Sequence, residues 1–172
     1  MDEQLGLLHL YWGDSKGKTT AAMGLAVRAL GNGLRVAVLQ FLKSGTSGEL
    51  EPLRQLGASV WSGKGSRKFV FQMTPEEREE TRQLQDENLR QLLEGQWDLV
   101  VLDEACSAWQ LGMVDHQLLR RAVLERPKNQ EMVLTGREPA PWMMEAADYS
   151  TEMRCHKHPY ERGIKARKGV EF

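Results

Sequence analysis

The sequence predicts a three-layer α/β domain built on a mainly parallel central sheet. Three observations carry that expectation. Short apolar runs alternate with longer amphipathic ones along the chain, the order that builds strand–helix–strand units. Several short runs, such as Leu99-Val100-Val101-Leu102, are apolar at every position, as strands buried on both faces must be. A length of 172 residues, 41% hydrophobic and 27% charged, has the size and make-up of one ordinary globular domain, so the expected domain is 1–172.

Taken in order, strands are expected at 7–12, 35–41, 58–61, 99–102, 132–135 and 149–153. Helices are expected between them at 18–30, 48–56, 75–93, 115–126 and 141–147, joined by right-handed crossovers. The helix at 18–30 shows its apolar face in Ala21, Ala22, Leu25, Ala26 and Leu30. The helix at 75–93 has the clearest start: Thr74 caps it, Pro75 suits its first turn and Glu77 completes a capping box. The stretch 61–72, with Gly63-Lys64-Gly65-Ser66, has no regular period and reads as a long loop of the kind that carries function, with disorder as the other reading. No repeat or low-complexity tract divides the chain.

Composition excludes several roles. Lysine and arginine number 23 against 24 acids, a net charge of −1, which argues against affinity for a nucleic-acid backbone. No apolar run approaches the roughly 18 residues of a membrane span. The acidic start Met1-Asp2-Glu3-Gln4 lacks a signal peptide's positive region, and two cysteines, Cys106 and Cys155, suit a reducing compartment. The expected location is the cytoplasm.

The most informative segment is Gly13-Asp14-Ser15-Lys16-Gly17-Lys18-Thr19-Thr20. It follows a strand and opens a helix, the context a phosphate loop requires. Successive backbone N–H groups and the positive helix end wrap an anion, Lys18 adds a mobile charge, and the Thr19 hydroxyl suits the coordination shell of Mg²⁺. Only Asp14, Ser15 and Lys16 separate the first glycine from Gly-Lys-Thr, one residue fewer than the common pattern. The competing reading is a glycine-rich turn without a ligand. The second signal is Asp103-Glu104 at the end of the 99–102 strand, where carboxylates reach the crevice in which such sheets bind ligands. There they would hold Mg²⁺ opposite Thr19, or else simply cap a helix. Together these features predict an ATP-binding, Mg²⁺-dependent domain of P-loop NTPase-like (RecA-like) fold.

Several blocks, in their order, resemble the CobA/CobO-type ATP:corrinoid adenosyltransferases. They are the short loop with Ala21-Ala22, then Val38-Leu39-Gln40-Phe41-Leu42-Lys43, Val101-Leu102-Asp103-Glu104 and Val133-Leu134-Thr135-Gly136-Arg137. Later blocks are Ala147-Asp148, Thr151-Glu152-Met153 and a tail from Lys157-His158-Pro159-Tyr160 to Gly169-Val170-Glu171-Phe172. The chain departs from that family at Asp14-Ser15, where Asn-Gly or Glu-Gly is usual. Asp14 adds negative charge near the phosphates, and Ser15 lacks glycine's backbone freedom.

The resemblance implies transfer of the 5′-deoxyadenosyl group of ATP to the Co(I) of a corrinoid, cobalamin or a cobyrinic acid or cobinamide precursor, with release of triphosphate. It implies that Arg28 contacts the nucleotide, the alternative being a solvated helix arginine. It implies that Phe69 and Phe71 crowd the lower face of cobalt and displace its axial ligand; the same period-two pair would also suit a strand packed on a core. A homodimer and an electron-donating flavoprotein reductase follow from the resemblance too. The expected site is thus Lys18, Phe69 and Phe71 for the chemistry, 13–20 and Arg28 for the nucleotide, and Thr19, Asp103 and Glu104 for Mg²⁺.

Other readings stay open at this level. A phosphate-loop kinase or NTPase would release ADP, a RecA-like module would bind nucleic acid, and a corrinoid carrier would bind without turnover. Cys155-His156-Lys157-His158 holds three possible metal ligands without a well-spaced fourth. The tail from Arg154 to Lys168, with six basic residues and one acid, suits either anion binding or a solvated basic face. Trp97, Trp109 and Trp142 are expected to pack.

Overall fold

The computed structural model describes residues 5–63 and 68–171. The acidic start at 1–4, the Lys64-Gly65-Ser66-Arg67 centre of the expected loop and Phe172 at the end of the tail lie outside the described residues.

Six strands form one sheet: β1 (Leu8–Trp12), β2 (Val36–Gln40), β3 (Ser59–Ser62), β4 (Leu99–Asp103), β5 (Glu131–Gly136) and β6 (Tyr149–Glu152). Their spatial order is β3-β2-β4-β5-β1-β6, and every pairing is parallel. The α/β, parallel-sheet expectation holds, and each strand lies where one was expected. β6 differs in character. Its residues Tyr-Ser-Thr-Glu are all exposed, because it is an edge strand with no layer to bury it.

Helices α1 (Lys18–Gly31) and α2 (Leu50–Gln55) cover one face. Helices α3 (Pro75–Leu93), α4 (Ala105–Gln110), α5 (His116–Leu124) and α6 (Pro141–Ala146) cover the other. Side chains alternate along each strand, so Val38, Val101 and Val133 meet Ala22 and Ala26 of α1, while Leu10, Leu39, Leu102 and Leu134 point to the opposite layer. Both sets are buried, which is why β2, β4 and β5 read as unbroken apolar runs. Trp97, Trp109 and Trp142 pack against the second core as expected, and Trp97 donates its indole N–H to the Leu92 carbonyl at 2.7 Å.

The start of α3 follows the sequence reading closely. Thr74 Oγ1 accepts from the Glu77 N–H at 3.2 Å, and the Glu77 carboxylate accepts from the Thr74 N–H at 2.9 Å. Three elements are additions, one of them a 3-10 turn at Pro159–Arg162 in the tail. α4 follows β4 at once, after Glu104 turns the chain through a left-handed conformation (φ 61°). The described end of the expected loop is a 3-10 turn at Val70–Gln72, pinned where Val70 packs with Met73, Met113 and Leu42. Phe69 therefore precedes the turn and Phe71 lies within it, and the two do not form a strand on a core. Among the described residues no helix is long and apolar enough to cross a membrane.

Candidate functional site

The chain leaves β1 at Trp12 and turns into the loop through Gly13 at φ 117°, where a Cβ would strike the Met153 backbone. The loop is tied down from behind. Gly13 N–H donates to the Arg137 carbonyl, and Ser15 N–H donates to the Met153 carbonyl, both at 3.1 Å. The Asp14 carboxylate accepts from the Cys155 N–H at 2.9 Å, so its charge is turned toward the chain beyond β6. Neither Asp14 nor Ser15 takes a positive φ. Serine at 15 therefore costs no backbone strain, and the departure from a glycine there is structurally neutral.

Gly17, at φ 118°, begins α1, whose first turn has neither a side-chain cap nor an acidic residue. Its open N–H groups and positive dipole end face the space above the loop, a natural anion seat. Lys18 Nζ donates to the Ser15 carbonyl at 2.6 Å. Burial lowers the Lys18 pKa from its ordinary value and Arg137 adds to that, while Glu104, Asp14 and Asp103 pull the other way. Lys18 is a cation held in a partly desolvated place, where its charge acts strongly on a ligand.

Asp103 ends β4 and is wholly buried. Its Oδ1 accepts from Thr19 Oγ1 at 2.8 Å and from Thr135 Oγ1 at 2.7 Å. Its Oδ2 accepts from Lys43 Nζ at 2.7 Å and from Gln40 Nε2 at 3.2 Å. Strand register makes this cluster. Gln40 lies beside Asp103 across β2 and β4, and Leu102 lies beside Leu134, which puts Thr135 at the same edge. Lys43 Nζ also stands 3.3 Å from Thr19 Oγ1.

Glu104 accepts from Ser107 Oγ at 3.1 Å. Its left-handed backbone, at a non-glycine residue on the rim of a cavity, is strain of the kind found at functional sites.

Above these groups opens a cavity of about 800 Å³. Ser15, Lys16, Gly17, Lys18, Thr19 and Thr20 form its floor, with Lys43, Glu49, Glu104 and Phe69 on its walls. Gly13 and Asp14 lie behind it. Asp103 lies beneath it, reaching it through Thr19 and Lys43. Phe69 is 65% and Phe71 81% exposed, and their rings stack at 5.6 Å. Only Phe69 lines the cavity. Arg28 is exposed in the last turn of α1, away from the cavity, and its charge acts on Tyr11.

The sequence reading missed several members of this site. Lys43, Gln40 and Thr135 sit in or just after the C-terminal ends of strands, the edge where parallel sheets bind ligands, and that position was the available signal. Gly169, Val170 and Glu171, just past the basic stretch of the tail, also line the cavity, and Lys16 Nζ donates to the Val170 carbonyl at 3.0 Å. No local pattern pointed to that return of the chain.

The donor set suits a hard cation. Thr19, Asp103, Glu49 and Glu104 offer oxygen only, and the ammonium of Lys43 already stands as a cation between Thr19 and Asp103. Among the described residues no group of three or more His, Cys, Asp or Glu converges on one point. Mg²⁺ characteristically takes one or two protein oxygens and completes its shell with phosphates and water, so this sparse set fits it.

A family model described as ATP:corrinoid adenosyltransferase BtuR/CobO/CobP matches residues 4–172. The corrinoid adenosyltransferase of Pseudomonas aeruginosa is 36% identical, over 99% of this chain and 85% of that protein. The corrinoid adenosyltransferase of Escherichia coli K12 is 31% identical over 99% and 87%, and the corrinoid adenosyltransferase CobA of Salmonella typhimurium is likewise 31% identical over 99% and 87%. Among solved structures, the ADP form of the Aeropyrum pernix ORC2 protein is similar at a TM-score of 0.43 and 14% identity, over 89% of this chain and 43% of that one. That likeness is too slight to bear on fold or function.

Proposed function

Since the chain belongs to the ATP:corrinoid adenosyltransferase family, we propose that it transfers the 5′-deoxyadenosyl group of ATP to the Co(I) of a corrinoid and releases triphosphate. The corrinoid is cobalamin or a cobyrinic acid or cobinamide precursor. In this reaction the electron pair of Co(I) attacks C5′ of the ribose, a Co–C bond forms, and the C5′–O bond breaks with its electrons leaving on triphosphate. The nucleophile comes with the substrate. The protein's work is to align C5′ with cobalt and to stabilise charge on the leaving group.

The observation that carries the reading is the short phosphate loop opening into an 800 Å³ cavity with an aromatic wall. Lys18 and the open N–H groups at the start of α1 hold the triphosphate. Thr19, with Asp103 and Glu104 behind it, would hold Mg²⁺, which when bound adds further positive charge beside the leaving oxygens. Phe69, backed by Phe71, offers an apolar ring where an axial donor to cobalt would otherwise sit, and removing that donor makes Co(II) easier to reduce. Arg28 is assigned to the nucleotide on the family pattern alone; its exposed place on α1 gives it no contact with this cavity within one chain. The reading extends to one domain over 1–172, working in the cytoplasm as a homodimer and served by a flavoprotein reductase.

The test is anaerobic incubation of the protein with Mg·ATP and chemically reduced corrinoid. The Co–C bond is followed optically and triphosphate by chromatography. Equimolar adenosylated corrinoid and triphosphate are expected. ADP in place of triphosphate would make the protein a kinase or NTPase, and binding of both ligands without product would make it a carrier.

A further inference from the structure

Of the four side chains that donate to the Asp103 carboxylate, three belong to the framework. Thr135 and Gln40 are fixed by the sheet, and Thr19 by the first turn of α1. Lys43 differs. It follows β2 on a flexible four-carbon stem, its side chain is 28% exposed, and it lines the cavity that Lys18 faces. Its backbone is nevertheless held. Leu42 turns the chain at φ 60°, and its N–H donates at 2.6 Å to the carbonyl oxygen of the buried Gln85 side chain. An anchored backbone and a swinging ammonium make Lys43 the one donor that can leave Asp103 without disturbing the sheet.

Where the ammonium rests is equally informative. At 2.7 Å from Asp103 and 3.3 Å from Thr19, it lies between the two side chains that would hold a divalent cation. Two positive charges do not share one seat, and Asp103, wholly buried, is not left without a counter-charge.

We propose that Lys43 is this site's own cation surrogate: without a divalent cation it neutralises Asp103 and presents its charge to the nucleotide from the seat beside Thr19, and it withdraws when a divalent cation takes that seat. The proposal rests on reading the cavity as a Mg·ATP site. Its consequence is that the protein binds ATP appreciably even without a divalent cation, because Lys43 supplies the missing positive charge.

The experiment is calorimetric titration with ATP, in excess Mg²⁺ and in EDTA, for the wild-type protein and Lys43→Met. Loss of Lys43 should weaken binding in EDTA at least tenfold more than binding in Mg²⁺, so the ratio of the two Kd values rises by that factor. An equal loss in both conditions marks a merely structural lysine and overturns the proposal, as does no loss at all. Should Lys43→Met fail to fold, lysine Cε resonances of the wild-type protein carry the same test. The Lys43 signal should differ between ATP in EDTA and Mg·ATP, and one position for both overturns the proposal. A wild-type protein that binds no ATP in Mg²⁺ overturns the site reading together with the proposal, whereas a normal Mg·ATP affinity with an unchanged Kd ratio overturns the role of Lys43 alone.

Discussion

Lys18 is a charge held in a partly desolvated place, tethered to its loop by the Ser15 carbonyl. On the proposed reading, its removal takes charge from the leaving group and little from the core. Lys18→Ala should lower kcat by about 10²- to 10³-fold, the scale of losing one preorganised charge-stabilising donor, with a thermal midpoint close to wild type. Phe69 tests a different link. Phe69→Ala should slow reaction from Co(II) with a weak reductant far more than reaction from preformed Co(I), since only the first needs the axial donor displaced; equal losses in parallel assays would remove that role. Cys106 supplies a pH test of packing. Burial, with the nearby Glu104 charge, pushes its thiol up to about 12, so it stays protonated through the alkylation range, whereas Cys155 is partly exposed. Iodoacetamide at pH 8 should modify one cysteine of the native protein and both after denaturation, counted by mass spectrometry.

Between elements, Gln85 does the joining. From the middle of α3 it accepts from Leu42 N–H and donates to the Met113 carbonyl at 2.7 Å, wholly buried, and so ties the end of β2 to the turn after α4. Gln85→Ala leaves both backbone groups unsatisfied and should cost about 1–3 kcal/mol in denaturant titration. It should also raise the KM for ATP, because the turn that carries Lys43 loosens. At this scale the sequence was legible where the signal is local. The Thr74–Pro75–Glu77 cap is read from three residues and found as read. α4 escaped because it starts directly after β4, through a left-handed Glu104 that no local rule foresees. Gln85 looks like any polar residue on a charged helix; its burial comes from what α3 packs against.

For the molecule as a whole, the sheet order is what assembles the site. β5 lies between β1 and β4, so Thr135 bridges from β5 to Asp103, while β2 on the other side of β4 brings Gln40 and Lys43. Beyond β6 the tail returns to the loop through Lys16 and the Val170 carbonyl. Arg167 holds the Glu171 carboxyl down to about 2, so Glu171 stays ionised and paired with Arg167 at any ordinary assay pH. Nucleotide that binds across so many elements should stabilise all of them together. Mg·ATP at about 100 times its Kd should add about 2.7 kcal/mol, raising Tm by roughly 5–10 °C in a thermal shift assay, and Lys18→Ala should lose most of that shift.

From the amino-acid order alone came the strand positions, the helix positions other than α4, the parallel α/β class, the phosphate loop, the acidic pair at the end of β4 and the aromatic pair beyond β3. Each rests on neighbours in the chain, where period, turn chemistry and anion-binding backbone are local properties. Folding alone decided that Lys43 stands between Thr19 and Asp103, that Asp14 turns away from the cavity, and that the tail comes back to its rim. Those contacts join residues 24 to 154 positions apart, and what pairs them is strand order and register, which apolar runs of equal character do not encode one by one.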